Sequence, residues 1–168
     1  MERLWTPWRL DYVTEASVPL PGCIFCAAVA GPEPDPLVVF RGRTAFVILN
    51  KFPYNNGHLM VVPERHVGRL VDLTAEELAE FATLTQSAER VLTDIYRPHG
   101  FNLGLNLGRS AGAGVLDHVH MHVVPRWNGD TNFMAVVGET RVLPEELPAT
   151  AARVKDGFAG AGGGGIKN

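Results

Sequence analysis

The segment that most constrains the fold is His118-Val119-His120-Met121-His122-Val123-Val124, in which histidines alternate with apolar residues. Side chains of a β-strand point alternately to its two faces, so this pattern predicts a strand over residues 118–124. The three histidines would share one face, while Val119, Met121 and Val123 would pack into the core. A purely structural face gains nothing from three imidazoles placed about 7 Å apart. We therefore predict that the histidine face carries the chemistry of the protein.

The remaining pattern predicts an α+β fold with a mainly antiparallel five-stranded sheet. The other β-rich runs are residues 37–40, 45–49, 58–62 and 101–107. Thr74 and Glu77 form a capping box, and apolar residues at helical spacing extend the helix that follows to about residue 97. A short C-terminal helix is expected over residues 143–154.

Length and composition indicate one domain that carries extensions. The chain has 168 residues and a net charge of −3, which argues against binding nucleic acid mainly by charge. Charged residues from Glu2 to Asp11 have no apolar core between them, so we expect no signal peptide. The longest uncharged stretch, residues 16–32, is broken by proline and glycine, so we expect no membrane span and assign the protein to the cytoplasm. The expected organisation is an aromatic arm over residues 1–22, a domain over 23–156 and a flexible glycine-rich tail over 157–168.

Two kinds of chemistry fit three histidines at this spacing. They could hold a catalytic metal with an open position for water, or one could act as a nucleophile while its neighbours donate to anionic oxygens. The preceding residues 104–114 are rich in glycine and contain Arg109 and Ser110. Small residues let backbone amides approach an anion, and an arginine adds a charged donor. This neighbourhood favours a phosphate-bearing substrate.

The motif and its surroundings resemble the histidine triad (HIT) superfamily of nucleotide hydrolases and transferases. The resemblance covers roughly residues 23–127, including the 57–63 strand, the long helix and Asn106, and the flanks 3–9 and 125–133 look most like the bacterial branch related to diadenosine tetraphosphate phosphorylases. It implies a homodimer that cleaves dinucleoside polyphosphates at the α-phosphate. The central histidine, here His120, would attack, and water or inorganic phosphate would release the nucleotidyl-histidine.

The resemblance also implies roles for other residues. His122 would donate to the phosphoryl oxygens, and His58 would orient its neighbours or contact phosphate. The substrate-binding candidates are Asn50, Asn106, Arg109, Ser110, Gly112 and Gly114. Many relatives carry Gln-Ser before the triad where this chain has Gly114-Val115, so Ser110 or Arg109 is expected to substitute.

Cys23 and Cys26 form a C-x-x-C pair, which by itself fits buried thiols, a redox pair or half of a metal site. A structural zinc takes four ligands. Relatives with this pair use the histidine of a Pro-x-x-His turn and the first triad histidine, so the resemblance implies a structural zinc on Cys23, Cys26, His66 and His118. No catalytic metal is expected, although the polyphosphate could carry Mg²⁺.

Three other functions remain open at this point. They are a nucleoside phosphoramidate hydrolase of the same family, a zinc-dependent metallohydrolase that uses the triad itself, and a nucleotide-binding protein without turnover. The metallohydrolase would lose activity in chelator, whereas the covalent mechanism would not need a metal for the reaction.

Overall fold

The computed structural model of the protein describes residues 22–130 and 144–162. The predicted aromatic arm, with Trp5 and Trp8, lies outside these residues. Within them, no helix is long and apolar enough to cross a membrane.

Five strands form one sheet in the order β1-β2-β3-β5-β4, with every neighbouring pair antiparallel. The strands are β1 Val38–Arg41, β2 Ala45–Leu49, β3 Leu59–Pro63, β4 Gly100–Leu105 and β5 Met121–Arg126. The helices are α1 Ile24–Val29, α2 Ala75–Tyr96 and α3 Leu147–Gly162. The predicted α+β class and five-stranded antiparallel sheet are confirmed.

Both faces of the sheet are covered over β2 and β3, which explains why these strands are apolar at every position. One face, with Val47, Leu59 and Val123, packs against α2 and α3. The other face, with Phe46 and Met60, packs against Phe25 and Ala28 of α1. Since His122 is paired with Met60 across β5 and β3, it lies on the α1 side of the sheet.

Helix α2 begins and ends as the sequence predicts. The Thr74 side chain accepts a hydrogen bond from the Glu77 amide, and the Glu77 carboxylate accepts one from the Thr74 amide, which completes the capping box. Arg97 ends the helix in the left-handed conformation with φ 47°.

Two predicted boundaries are wrong. The triad strand begins at Met121 instead of His118, because the Val119 amide donates to the Val67 carbonyl at 2.7 Å instead of joining the ladder. The C-terminal helix runs over Leu147–Gly162, so the predicted flexible tail does not begin at residue 157. Phe158 is buried within that helix and stacks on Phe40 at 4.9 Å between ring centroids.

Candidate active site

Four histidines form a row along the α1 side of the sheet. His118 and His120 lie on the chain leading into β5, His122 lies on β5, and His58 immediately precedes β3. His58, His118 and His120 are buried, and His122 is half-buried. The ring centroids of His120 and His122 are 4.9 Å apart, and those of His58 and His122 are 5.1 Å apart.

The tautomers of His58 and His122 follow from a backbone donor. The Tyr54 amide donates to His58 Nδ1 at 3.0 Å, so neutral His58 carries its proton on Nε2. That Nε2–H donates to His122 Nδ1 at 3.0 Å. The remaining proton of neutral His122 is therefore on Nε2, where it can be donated to a ligand.

His120 has the opposite polarity. Its Nδ1–H donates to the His118 carbonyl oxygen at 2.9 Å, which leaves the lone pair on Nε2. Burial lowers the pKa of His120, and burial together with the neighbouring His120 lowers the pKa of His122 to about 4. Both imidazoles are therefore neutral near pH 7, and His120 Nε2 has the electron pair that a nucleophile requires.

The four predicted metal ligands come together next to this row. The ligand atoms of Cys23, Cys26, His66 and His118 all lie within 4.8 Å of one another. Cys23 Sγ is 3.2 Å from His118 Nδ1, and Cys26 Sγ is 3.4 Å from His66 Nδ1. His118 Nε2–H donates to the Pro63 carbonyl at 2.8 Å, so Nδ1 presents its lone pair to the thiols.

This group fits a zinc ion in donor chemistry, and its three shortest sulfur–nitrogen contacts, at 3.2 to 3.7 Å, are close to the spacing of zinc ligands. Two sulfurs and two imidazole nitrogens are a common structural zinc set, and its bond lengths place tetrahedral ligand atoms about 3.3 to 3.8 Å apart. Burial, and then hydrogen bonding with Cys23, raises the pKa of the Cys26 thiol. A bound cation would reverse that shift by stabilising the thiolate.

Two aromatic rings that sequence reasoning missed hold the histidines in place. The Phe25 ring, between the two cysteines, lies 5.5 Å from the His118 ring and 4.9 Å from the His120 ring. Tyr54 packs on the other end of the row, 4.7 Å from His58 and 5.9 Å from His122. The position of Phe25 between two candidate metal ligands could have indicated that its ring packs near them. Nothing in the sequence indicates that Tyr54 lies beside the triad.

The predicted substrate-binding residues are distributed over three places. Asn50 lies behind His58, with its amide nitrogen 3.4 Å from His58 Nδ1. Asn106 lines an open cleft next to His122. The glycine-rich loop makes a 3₁₀ turn over Arg109–Ala111, whose hydrogen bonds to Gly108 and Arg109 carbonyls close the turn on itself. Arg109 and Ser110 are exposed.

The cleft has a volume of about 380 Å³ and extends from His122 along β4 and β5. At its far end the Arg126 guanidinium donates to both carboxylate oxygens of Asp130 and to Asn102 Oδ1, at 2.6 to 2.9 Å. Asn55 joins this network by donating to Asp130. Sequence reasoning used residues 125–133 only for the family resemblance and assigned no binding role to Arg126 or Asp130.

Comparison with known proteins identifies the family. The HIT domain model matches residues 32–129. An AP-4-A phosphorylase of Mycobacterium tuberculosis is 47% identical over 157 residues, covering 89% of this chain and 80% of that protein. An uncharacterized HIT-like protein of Methanocaldococcus jannaschii is 36% identical over 108 residues, 64% of this chain and 81% of that one. The crystal structure of a Zn-bound histidine triad family protein from Mycobacterium smegmatis superimposes with a TM-score of 0.69 at 26% identity, covering 84% of this chain and 96% of that one. The sequence and the sheet-plus-triad geometry agree, and the chain belongs to the HIT domain family.

Proposed function

We propose that this protein is a nucleotidyl transferase that cleaves dinucleoside polyphosphates at the α-phosphate, with His120 as the nucleophile. The observation that carries the proposal is the hydrogen bond from His120 Nδ1–H to the His118 carbonyl, which leaves the lone pair of the neutral ring on Nε2. The likeness to an AP-4-A phosphorylase supports a dinucleoside tetraphosphate as the substrate.

In the first step His120 Nε2 forms a bond to the α-phosphorus, and the bond from that phosphorus to the bridging oxygen breaks. The leaving group is a nucleoside triphosphate. The proton on His120 Nδ1 stays hydrogen-bonded to the His118 carbonyl throughout, so no proton has to leave the nucleophile. His122 Nε2–H would donate to the phosphoryl oxygens as negative charge moves onto them.

In the second step an acceptor oxygen attacks the same phosphorus and breaks the phosphorus–nitrogen bond, which restores neutral His120. Inorganic phosphate would yield a nucleoside diphosphate, and water would yield a nucleoside monophosphate and one proton. We infer that phosphate is the acceptor, as the name of the mycobacterial relative indicates for that protein.

We also propose that Cys23, Cys26, His66 and His118 hold a structural zinc. The ion would cross-link α1, the segment after β3 and the approach to β5, without taking part in the reaction. His118 then contributes to catalysis through its carbonyl, while its ring belongs to the metal group. This arrangement argues against a metal held by the three triad histidines, because both ring nitrogens of His118 face Pro63 and the thiols. His120 also directs its Nδ1–H to backbone.

The decisive experiment combines product analysis with trapping of the intermediate. With diadenosine tetraphosphate, the wild-type protein should form ADP and ATP in phosphate buffer, and AMP and ATP would identify water as the acceptor. Label on the α-phosphate should remain on denatured wild-type protein and be absent from His120→Ala, which should bind substrate without turnover.

A histidine outside the row provides the control. His99 accepts a hydrogen bond from the Asn128 amide, and His99→Ala should keep both turnover and labelling. His122→Ala should slow turnover by roughly 10²–10³-fold, the usual effect of losing one donor to a developing oxyanion. Turnover by His120→Ala within tenfold of the wild type would refute the covalent mechanism.

A further inference from the structure

The open cleft beyond His122 has no role in the reaction steps above. Its floor is formed by alternate residues of two paired strands: Asn102 and Gly104 on β4, and His122 and Val124 on β5. Its far end, at Arg126, is four residues from His122 along β5, or about 13 Å at the rise of a strand. The cleft therefore begins at a triad histidine and continues away from the metal group.

Among the residues that the structure describes, the charges that line the cleft cancel. Asp130 accepts two hydrogen bonds from Arg126, so the ion pair at the far end contributes no net charge. His122 is neutral near pH 7, because its pKa is about 4. The other polar side chains of the described lining are the phenol of Tyr54 and the amides of Asn55, Asn102 and Asn106. A surface of amides and a neutralised ion pair suits an uncharged, hydrogen-bonding group better than a chain of phosphates.

Glycine keeps the cleft open beside His122. Gly104 is the cross-strand partner of His122, and a Cβ built on it would meet no atom within 4 Å. The backbone there is ordinary strand, so a larger side chain would be tolerated by β4 and would project into the cleft instead of into the protein. Tyr54 also lines this space and is 46% exposed, and an aromatic ring there suits a planar base.

We propose that this cleft, with Gly104 as its floor and Tyr54, Asn102 and the Arg126–Asp130 pair around it, binds the second nucleoside of a dinucleoside polyphosphate. The inference rests on the proposed function. It identifies the part of the leaving group that the protein recognises: the base lies by Tyr54, and the ribose hydroxyls and base edge hydrogen-bond to the amides and the ion pair. The phosphates that link the two nucleosides pass the triad without being held in the cleft.

The test compares two substrates that differ only in the second nucleoside. Diadenosine tetraphosphate and adenosine 5′-tetraphosphate carry the same α-phosphate and the same number of phosphates. Gly104→Val should lower kcat/KM for the dinucleotide by about tenfold or more, the usual effect of blocking a subsite, and change that for adenosine tetraphosphate less than twofold. Asn102→Ala should show the same selectivity to a smaller degree. Gly100→Val is the matched control, because Gly100 lies on the same strand outside the cleft and a Cβ there also meets nothing within 4 Å.

Each alternative result has a separate meaning. Equal losses on both substrates in Gly104→Val would overturn the subsite, because the substitution would then act on His122. No loss on either substrate would place the second nucleoside elsewhere. If light scattering gave Gly104→Val a different molecular mass from the wild-type protein, this face would be an interface between copies of the chain. That result would also overturn the proposal. If wild-type protein turned over neither substrate, the proposed function itself would be wrong.

Discussion

Replacing Phe25 by leucine separates the positioning of His120 from the general stability of the core. The Phe25 side chain is 2% exposed and its ring contacts both His118 and His120. Each such ring pair contributes about 0.5 to 1.5 kcal/mol beyond the burial of apolar area, so two pairs amount to about 1 to 3 kcal/mol. Leucine keeps most of the buried volume, which avoids the ~3 to 5 kcal/mol cost of Phe→Ala. We expect the melting temperature to fall by about 2 to 4 °C per kcal/mol for a chain of this size.

The effect on activity should be larger than the effect on stability. Without the ring His120 can tilt, and a displacement of about 1 Å at a reacting group costs on the order of 10²-fold in rate. We expect kcat with diadenosine tetraphosphate to fall 10- to 100-fold, with KM nearly unchanged. Phe158→Leu is the matched control: Phe158 is 4% exposed and stacks on one ring, Phe40, on the opposite side of the sheet. It should lower the melting temperature and leave kcat unchanged.

Thermal unfolding, steady-state kinetics and metal content are measured on both variants. If Phe25→Leu loses stability but keeps kcat within twofold of the wild type, Phe25 is only a core residue. If Phe158→Leu loses as much kcat as Phe25→Leu, the loss reflects general destabilisation, and the positioning argument fails.

Three further predictions concern pH, metal and assembly. Burial lowers the pKa of His122 to about 4 from the ordinary ~6.5, so the unfolded chain takes up a proton that the folded chain does not. The contribution of His122 to the free energy of unfolding is therefore complete above about pH 6.5, decreases as the pH falls and is lost below about pH 4. The melting temperature should decrease over the same pH range. An equally steep decrease in His122→Gln would contradict the assignment. Elemental analysis of protein purified without chelator should find one equivalent of zinc, and Cys23→Ser should release it and lower the melting temperature. Metal-free wild-type protein would show that the group is not a zinc site and that the cysteines are only a pair of thiols. The protein should be a homodimer, with a light-scattering mass near twice the 18.3 kDa of one chain, since β1 and β4 are edge strands; a monomer mass at all micromolar concentrations would reject this.

The parts of the molecule that sequence reasoning predicted depend on local periodicity or on a dense motif. The capping box at Thr74 and Glu77 fixed the start of α2, and alternating residues identified β4. The sequence predicts a flexible tail over the end of helix α3, because glycine is a poor helix former. Tertiary packing reverses that preference at Gly157, where a Cβ would come within 2.7 Å of Val91, so that α3 can lie close to α2 only with glycine there.

The cleft could not be predicted because it depends on pairing between distant strands. Gly104 faces His122 only through the register of β4 and β5, and the 15 residues from 106 to 120 that separate these strands are irregular apart from a short 3₁₀ turn. The same holds for Tyr54, which reaches His58 through the turn before β3. Residues that act through ladder register or loop closure leave no periodic trace in the sequence.

The two central histidines receive opposite hydrogen-bonding roles from two backbone groups that do not titrate. The Tyr54 amide makes His58 Nδ1 an acceptor, so a chain of donors runs through His58 and ends in the Nε2–H of His122. The His118 carbonyl makes His120 Nδ1 a donor, so the second chain ends in the lone pair of Nε2. A nucleophile and a hydrogen-bond donor thus lie side by side as two neutral imidazoles that differ only in which nitrogen carries the proton. Because neither role depends on a charge, burial favours the arrangement: it lowers the pKa of both rings and keeps them neutral. A carboxylate in place of either backbone group would raise the pKa of its histidine and favour the imidazolium, and at His120 that would occupy the lone pair with a proton.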